Sequence, residues 1–177
     1  MAQPCDEITA DIYDRILPAL EPSVVVVGPG AVATTLGLTP FARVAPVAAA
    51  LELQTPPAVD RLDRLADRVV LIEPMPVVPA DPLACLERAE WLEDCRFVTP
   101  EERPGIELTY LRLTEPRRRL VVLDLDPLVC PYLPICDPVI SRQVVRRDPL
   151  HLTQGFGATL DAPLEELLDL HGLLADP

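Results

Sequence analysis

The sequence predicts an α/β fold, a doubly wound, three-layer α/β/α arrangement around a parallel sheet. Three short runs, 23–28 (SVVVVG), 68–73 (RVVLIE) and 120–125 (LVVLDL), are largely apolar and β-branched, as strands are when both faces of their sheet are covered. The segments between them carry helical spacing or turn residues, and strands alternating with helices build parallel sheets.

Taken in order, residues 6–20 place Ile8, Ile12, Ile16 and Leu20 on one helical face at spacing four, with Pro18 expected to stop or kink the helix. The first strand follows and ends at Gly28-Pro29-Gly30. Residues 31–54, rich in Ala and Pro, read as loop with a short helix. Over 57–67, Val59, Leu62 and Leu65 share a helical face opposite Asp and Arg. The second strand precedes a Pro-rich loop with a short helix bearing Leu86 and Trp91, where Trp91 reads as a lid over the core. Residues 107–113 form an amphipathic stretch before the third strand. After a Cys-bearing loop and the extended run 143–148 (QVVRRD), a final helix spans about 153–174, with Pro163 as an internal break. The stretch 155–160 (GFGATL) reads as the place where that helix packs closely.

A chain of 177 residues fits one domain, 1–177, with a real core. Aromatics make up only 4%, so aliphatic side chains must fill that core. The net charge of −13 argues against nucleic acid as a partner, because phosphate binding needs a basic footprint. All 15 basic residues are Arg, and the dense cluster Arg117–Arg119 reads as a solvated strand entry. No run is long and apolar enough to span a bilayer, and the opening residues lack signal-peptide character.

Five cysteines point toward an oxidising compartment. Cys85 and Cys95 enclose nine residues, and Cys130 and Cys136 enclose five. Neither spacing is that of a zinc site, and only two His are present, so the expectation is two short-loop disulfides and no metal. Cys5 is left over, as a free thiol or one half of a bridge.

Ligands of open α/β sheets bind beyond the carboxyl ends of the strands. Gly28-Pro29-Gly30, Glu73-Pro74 and Asp148-Pro149-Leu150-His151 are expected there. Asp148 and His151, three apart at a turn, bring a carboxylate to an imidazole. That pair fixes the ring tautomer as a general base requires. A helix N-cap is the competing role for Asp148. Glu73 reads as a strand end, and His171 as a surface or packing residue. Gly28-Pro29-Gly30 lacks the third glycine of a dinucleotide fingerprint, and no cofactor is implied.

The segment 126–164 resembles the closing block of SGNH hydrolase-type domains of the kind fused to integral membrane O-acyltransferases. Its marks are the Cys130…Cys136 loop, the extended Val144-Val145-Arg146-Arg147, then Asp148-Pro149-Leu150-His151-Leu152-Thr153 and a terminal helix. Upstream, 68–95 (RVVLIEPMPVVPADPLACL…C) and Cys5 before 16–28 are similar to the same family, so the resemblance covers nearly the whole chain. It implies an SGNH/flavodoxin-like sheet and serine-based acyl chemistry. His151 would be the base and Asp148 its partner, and the substrate an acylated glycan or lipid. A membrane acyltransferase domain is the implied partner and an extracytoplasmic or membrane-associated site the implied location.

The chain departs from that pattern at its nucleophile. There is no Gly-Asp-Ser block, and the only serines are Ser23, at the amino end of a strand, and Ser141, in the loop before the base. The block that in many SGNH enzymes reads Gly-x-Asn-Asp aligns with Gly28-Pro29-Gly30-Ala31, so the oxyanion-hole asparagine side chain is absent and the backbone N–H groups of the Gly28–Gly30 turn are left as donors. The expectation is therefore a domain that starts after its Ser-bearing first strand. The alternatives are a non-catalytic SGNH-like domain that binds glycan or a membrane acyltransferase partner, and a fragment with no function.

Overall fold

A computed structural model of the chain describes residues 5–28, 44–76, 78–99 and 105–174. Its centre is a three-stranded parallel sheet of β1 (Val24–Val27), β2 (Arg68–Ile72) and β4 (Leu120–Leu123), in the order β1-β2-β4. These are the three β-branched runs, shortened at their ends. The intervening helices are α3 (Val44–Leu62) before β2 and α5 (Gly105–Thr114) before β4. The fold is thus mixed α/β with a parallel sheet and helices.

Register divides the sheet into two faces. Val25 pairs with Val69, Val27 with Leu71, Val69 with Leu120, and Leu71 with Val122. These residues meet Val59 and Leu62 of α3 and Ile106, Tyr110 and Leu113 of α5 in the principal core. On the second face Val26 pairs with Val70, and Ile72 with Leu123. Arg68 belongs to this face by alternation, and its Nη1 donates to the His171 carbonyl at 3.0 Å. That bond ties the end of the last helix, α8 (Asp161–Leu170), to the start of β2.

Several elements differ from expectation. The first helix runs through Pro18 as α1 (Cys5–Asp11), a π-helical turn (Ile12–Ile16) and α2 (Leu17–Leu20). The Leu17 N–H reaches back five residues to the Ile12 carbonyl. A widened turn just before a proline, which has no N–H of its own, lets the helix continue. Tyr13 and Leu17 pack on the core, whereas Ile8, Ile12, Ile16 and Leu20 are exposed.

Of 31–54, read as loop with a short helix, the described part 44–54 is helical, and the difference lies in its length: it opens α3, which continues across Pro56 and Pro57. Ala-rich sequence favours the helix, the Thr55 hydroxyl donates to the Leu51 carbonyl at 2.7 Å, and burial of Val59 and Leu62 holds the half after the prolines. Trp91 is 67% exposed, so it covers no core. It precedes a 3-10 turn (Leu92–Cys95), outside the short helix α4 (Pro82–Leu86).

Beyond β4 the chain makes small antiparallel ribbons. After the single-turn helix α6 (Asp126–Val129), β5 (Ile135–Cys136) pairs with β3 (Phe97–Val98), and β6 (Val139–Ile140) pairs with β7 (Gln143–Val144). Residues 143–148 thus belong to a hairpin and not to the central sheet. The final helix is two helices, α7 (Gln154–Ala158) and α8, with Pro163 in the first turn of the second, where its missing N–H is no loss. Gly155 approaches the Gln143 side chain so closely that a Cβ would stand 2.6 Å from Oε1, while Gly157 faces open space.

Candidate active site

The arm that carries Asp148 and His151 is built by local pairing. Ser141 and Arg142 connect β6 to β7 with φ values of 50° and 66°, the primed two-residue turn that suits strand twist. The chain then folds back on itself. Thr153 N–H donates to the Val145 carbonyl at 3.0 Å, Arg146 bridges Leu152 antiparallel, and Arg147 N–H donates to the His151 carbonyl at 3.0 Å. Residues 148–150 form the tip, so Asp148 and His151 face each other across a tight turn.

Asp148 closes that turn. Its Oδ1 accepts from the backbone N–H groups of Leu150 and His151, each at 2.8 Å. The Nδ1 of His151 lies 2.9 Å from both carboxylate oxygens. Arg147 Nε stands 3.4 Å from Oδ2. One carboxylate therefore both holds the turn and orients the ring. It does not cap a helix, because Thr153 caps α7 through its hydroxyl, which accepts from Phe156 N–H at 3.1 Å.

Desolvation pushes the Asp148 carboxyl up, and the Leu150 N–H, the His151 ring, the His151 N–H and the ring's charge outweigh it, leaving a pKa lowered to about 2. Asp148 is accordingly a carboxylate throughout the neutral range. Among the described residues, the ring of His151 is hydrogen-bonded only to Asp148, and its Nε2 points to no partner. The imidazole is exposed, which leaves Nε2 available to a proton donor from outside the arm.

The arm docks on the segments that leave the carboxyl ends of β2 and β4. Val145 and Phe156 form a second, small core with Val129, against which Met75, Ile140, Leu152 and Leu160 pack. Arg146 Nη2 donates to the Pro76 carbonyl at 2.9 Å. Burial lowers the Arg146 pKa, and the negative charges of Asp126 and Asp148 work against that shift. Sequence reasoning passed over Arg146, since nothing in Arg146-Arg147 distinguishes the buried residue from the exposed one.

The other sequence candidates are dispersed. Gly28 follows β1, exposed, with open space where a Cβ would stand. Gly30 lies outside the described residues, as does the side chain of Cys5. Glu73 is buried directly after β2, and its N–H extends the ladder to the Leu123 carbonyl at 2.9 Å. His171 is exposed beyond α8. Ser23 precedes β1 and Ser141 sits in the hairpin turn; neither is hydrogen-bonded to His151.

Both expected disulfides are formed, Cys85–Cys95 and Cys130–Cys136. Together they staple one ribbon, because Phe97, two residues after Cys95, pairs with Cys136. The Arg96 Nε to Asp137 Oδ1 contact at 2.6 Å spans the same ribbon. Among the described residues no helix is long and apolar enough to cross a membrane, and no cluster of three or more His, Cys, Asp or Glu could hold a metal. No protein family, curated protein or solved structure matches this chain.

Proposed function

We propose that the chain is the base-bearing part of an SGNH-type ester hydrolase or O-acyltransferase domain acting on acyl esters of carbohydrates or lipids. The carrying observation is the His151 Nδ1 contact with both Asp148 oxygens, which orients the ring and leaves Nε2 for a hydroxyl proton. His151 is the general base and Asp148 its orienting partner. The serine that attacks the ester comes from a strand beyond the described sheet. The acyl-enzyme passes its acyl group to water or to a sugar hydroxyl.

The finer fold reading, a three-layer SGNH/flavodoxin-like sheet short of one strand, draws support from β1. It is an edge strand among the described residues, and its Val26 stands exposed while Val70 and Leu123 on the same face are buried. Two disulfides support an extracytoplasmic setting, where a membrane acyltransferase domain would be the neighbour.

The test is hydrolysis of an acetylated sugar by the natural full-length product and by its His151→Ala variant. A loss on the order of 10³-fold or more is expected for a general base in such a constellation. Equal rates would remove His151 from the chemistry. The second reading, a non-catalytic SGNH-like domain that binds glycan or an acyltransferase partner, is favoured by one observation: neither Ser23 nor Ser141 is hydrogen-bonded to His151.

A further inference from the structure

A cavity of about 160 Å³ lies between the Pro-rich loop after β2, the Cys85–Cys95 disulfide and the arm. Its walls are largely apolar, with Val78, Pro82, Phe97, Val129 and Val145 among them. Cavities near 150 Å³ hold a benzene-sized group, so the space suits a ligand of about six heavy atoms.

Arg146 lines this cavity and is only 5% exposed. Among the described residues its guanidinium makes one hydrogen bond, to Pro76, and pairs with no carboxylate within ion-pair distance. A guanidinium carries five N–H donors, and no Arg146 nitrogen is among the buried atoms left without a partner, so those not bonded among the described residues are accessible to an acceptor in the cavity. The three carboxylates that line the cavity are already engaged. Asp81 accepts from Leu83 and Ala84, Asp94 from Trp91, and Asp137 from Arg96. Asp126 and Asp148 act on Arg146 through their charge but do not line the cavity, so the buried cation that a ligand there would meet is Arg146.

We infer that this cavity is a binding site for a small monocarboxylate with a short apolar tail, the carboxylate on the Arg146 guanidinium and the tail among Val78, Phe97 and Val145. A planar carboxylate matches the guanidinium fork bidentately, and the apolar wall accounts for the tail. The site stands apart from the chemistry proposed for His151, and either can fail without the other.

The test is an NMR titration of the disulfide-intact chain with butyrate, with butanol and butylamine as probes that share the tail. Butyrate is expected to saturate one site with a dissociation constant of about 1 mM or tighter, shifting the Ala80 and Val145 amides and the Arg146 side-chain N–H. Butanol and butylamine are expected to bind at least about tenfold more weakly. Arg146→Met should abolish the preference for butyrate while leaving amide dispersion intact. Absence of saturation by butyrate, or equal binding of butanol by the wild-type chain, overturns the inference. The wild-type comparison decides by itself if the variant does not fold.

Discussion

Val26 and Val70 are register partners on the same face of the sheet, yet Val26 is 54% exposed and Val70 is 0% exposed. The same side chain in the same local conformation therefore contributes very differently. Val70→Ala is expected to destabilise the chain by about 2 kcal/mol, through lost burial and the cavity left behind. Val26→Ala should stay within about 0.5 kcal/mol. Urea unfolding of the two variants checks this, and equal losses would mean that the β1 end of that face is covered.

The bifurcated contact to Asp148 makes Nδ1 the protonated nitrogen of neutral His151. Long-range ¹⁵N correlation spectra above the ring's ionisation should show the Nδ1–H tautomer. In Asp148→Ala the ring is expected to revert toward the Nε2–H form that free histidine prefers. A wild-type ring already in that form would contradict the geometry.

Asp148 also sets an acid response. Its folded pKa, about 2, lies below the ordinary aspartate value. A depressed carboxyl contributes stability above the unfolded pKa and loses it as pH falls through the folded one. Wild type should therefore exceed Asp148→Asn in stability at pH 5, and the gap should close between about pH 4 and pH 2. Because the side chain is partly exposed, solvent screening keeps the gap small. Denaturant midpoints across that range measure it, and a gap independent of pH would remove the charge from the explanation.

Removing Cys130–Cys136 through a double Ser substitution should cost about 2 kcal/mol by loop-closure entropy alone. Both sulfurs are buried, so two hydroxyls would add to that cost. The Cys85–Cys95 bridge closes a longer loop and is less buried, so the entropic share should dominate there. Thermal unfolding of the two double variants separates the cases.

What could be read in advance followed physical distinctiveness. Runs of valine and leucine admit few structures, so β1, β2 and β4 were legible, as were cysteines spaced for short loops. Asp148-x-x-His151 announced its contact, but not the backbone that makes it. Ser141-Arg142 lacks the glycine or asparagine that marks a primed turn, so the hairpin was hidden and 143–148 read only as an extended run. That α3 runs on across Pro56-Pro57 was not legible, because burial of Val59 and Leu62 on the far side helps to hold it there. The role of Arg146 depends on Pro76, seventy positions away, and no local pattern encodes such a pairing.

The second core has its own consequence. Among the described residues it rests on Val129, Val145 and Phe156, against eight buried residues in the first, and the two clusters share none. Cooperative units of unequal size open at unequal free energies. The arm is thus expected to open as its own cooperative unit, and the amides of Val145, Arg147 and Thr153 should exchange with deuterium well before those of Val69 and Glu73 in the sheet. If exchange shows that, the Asp148–His151 contact lasts only while that unit is closed, a shorter time than the fold around it.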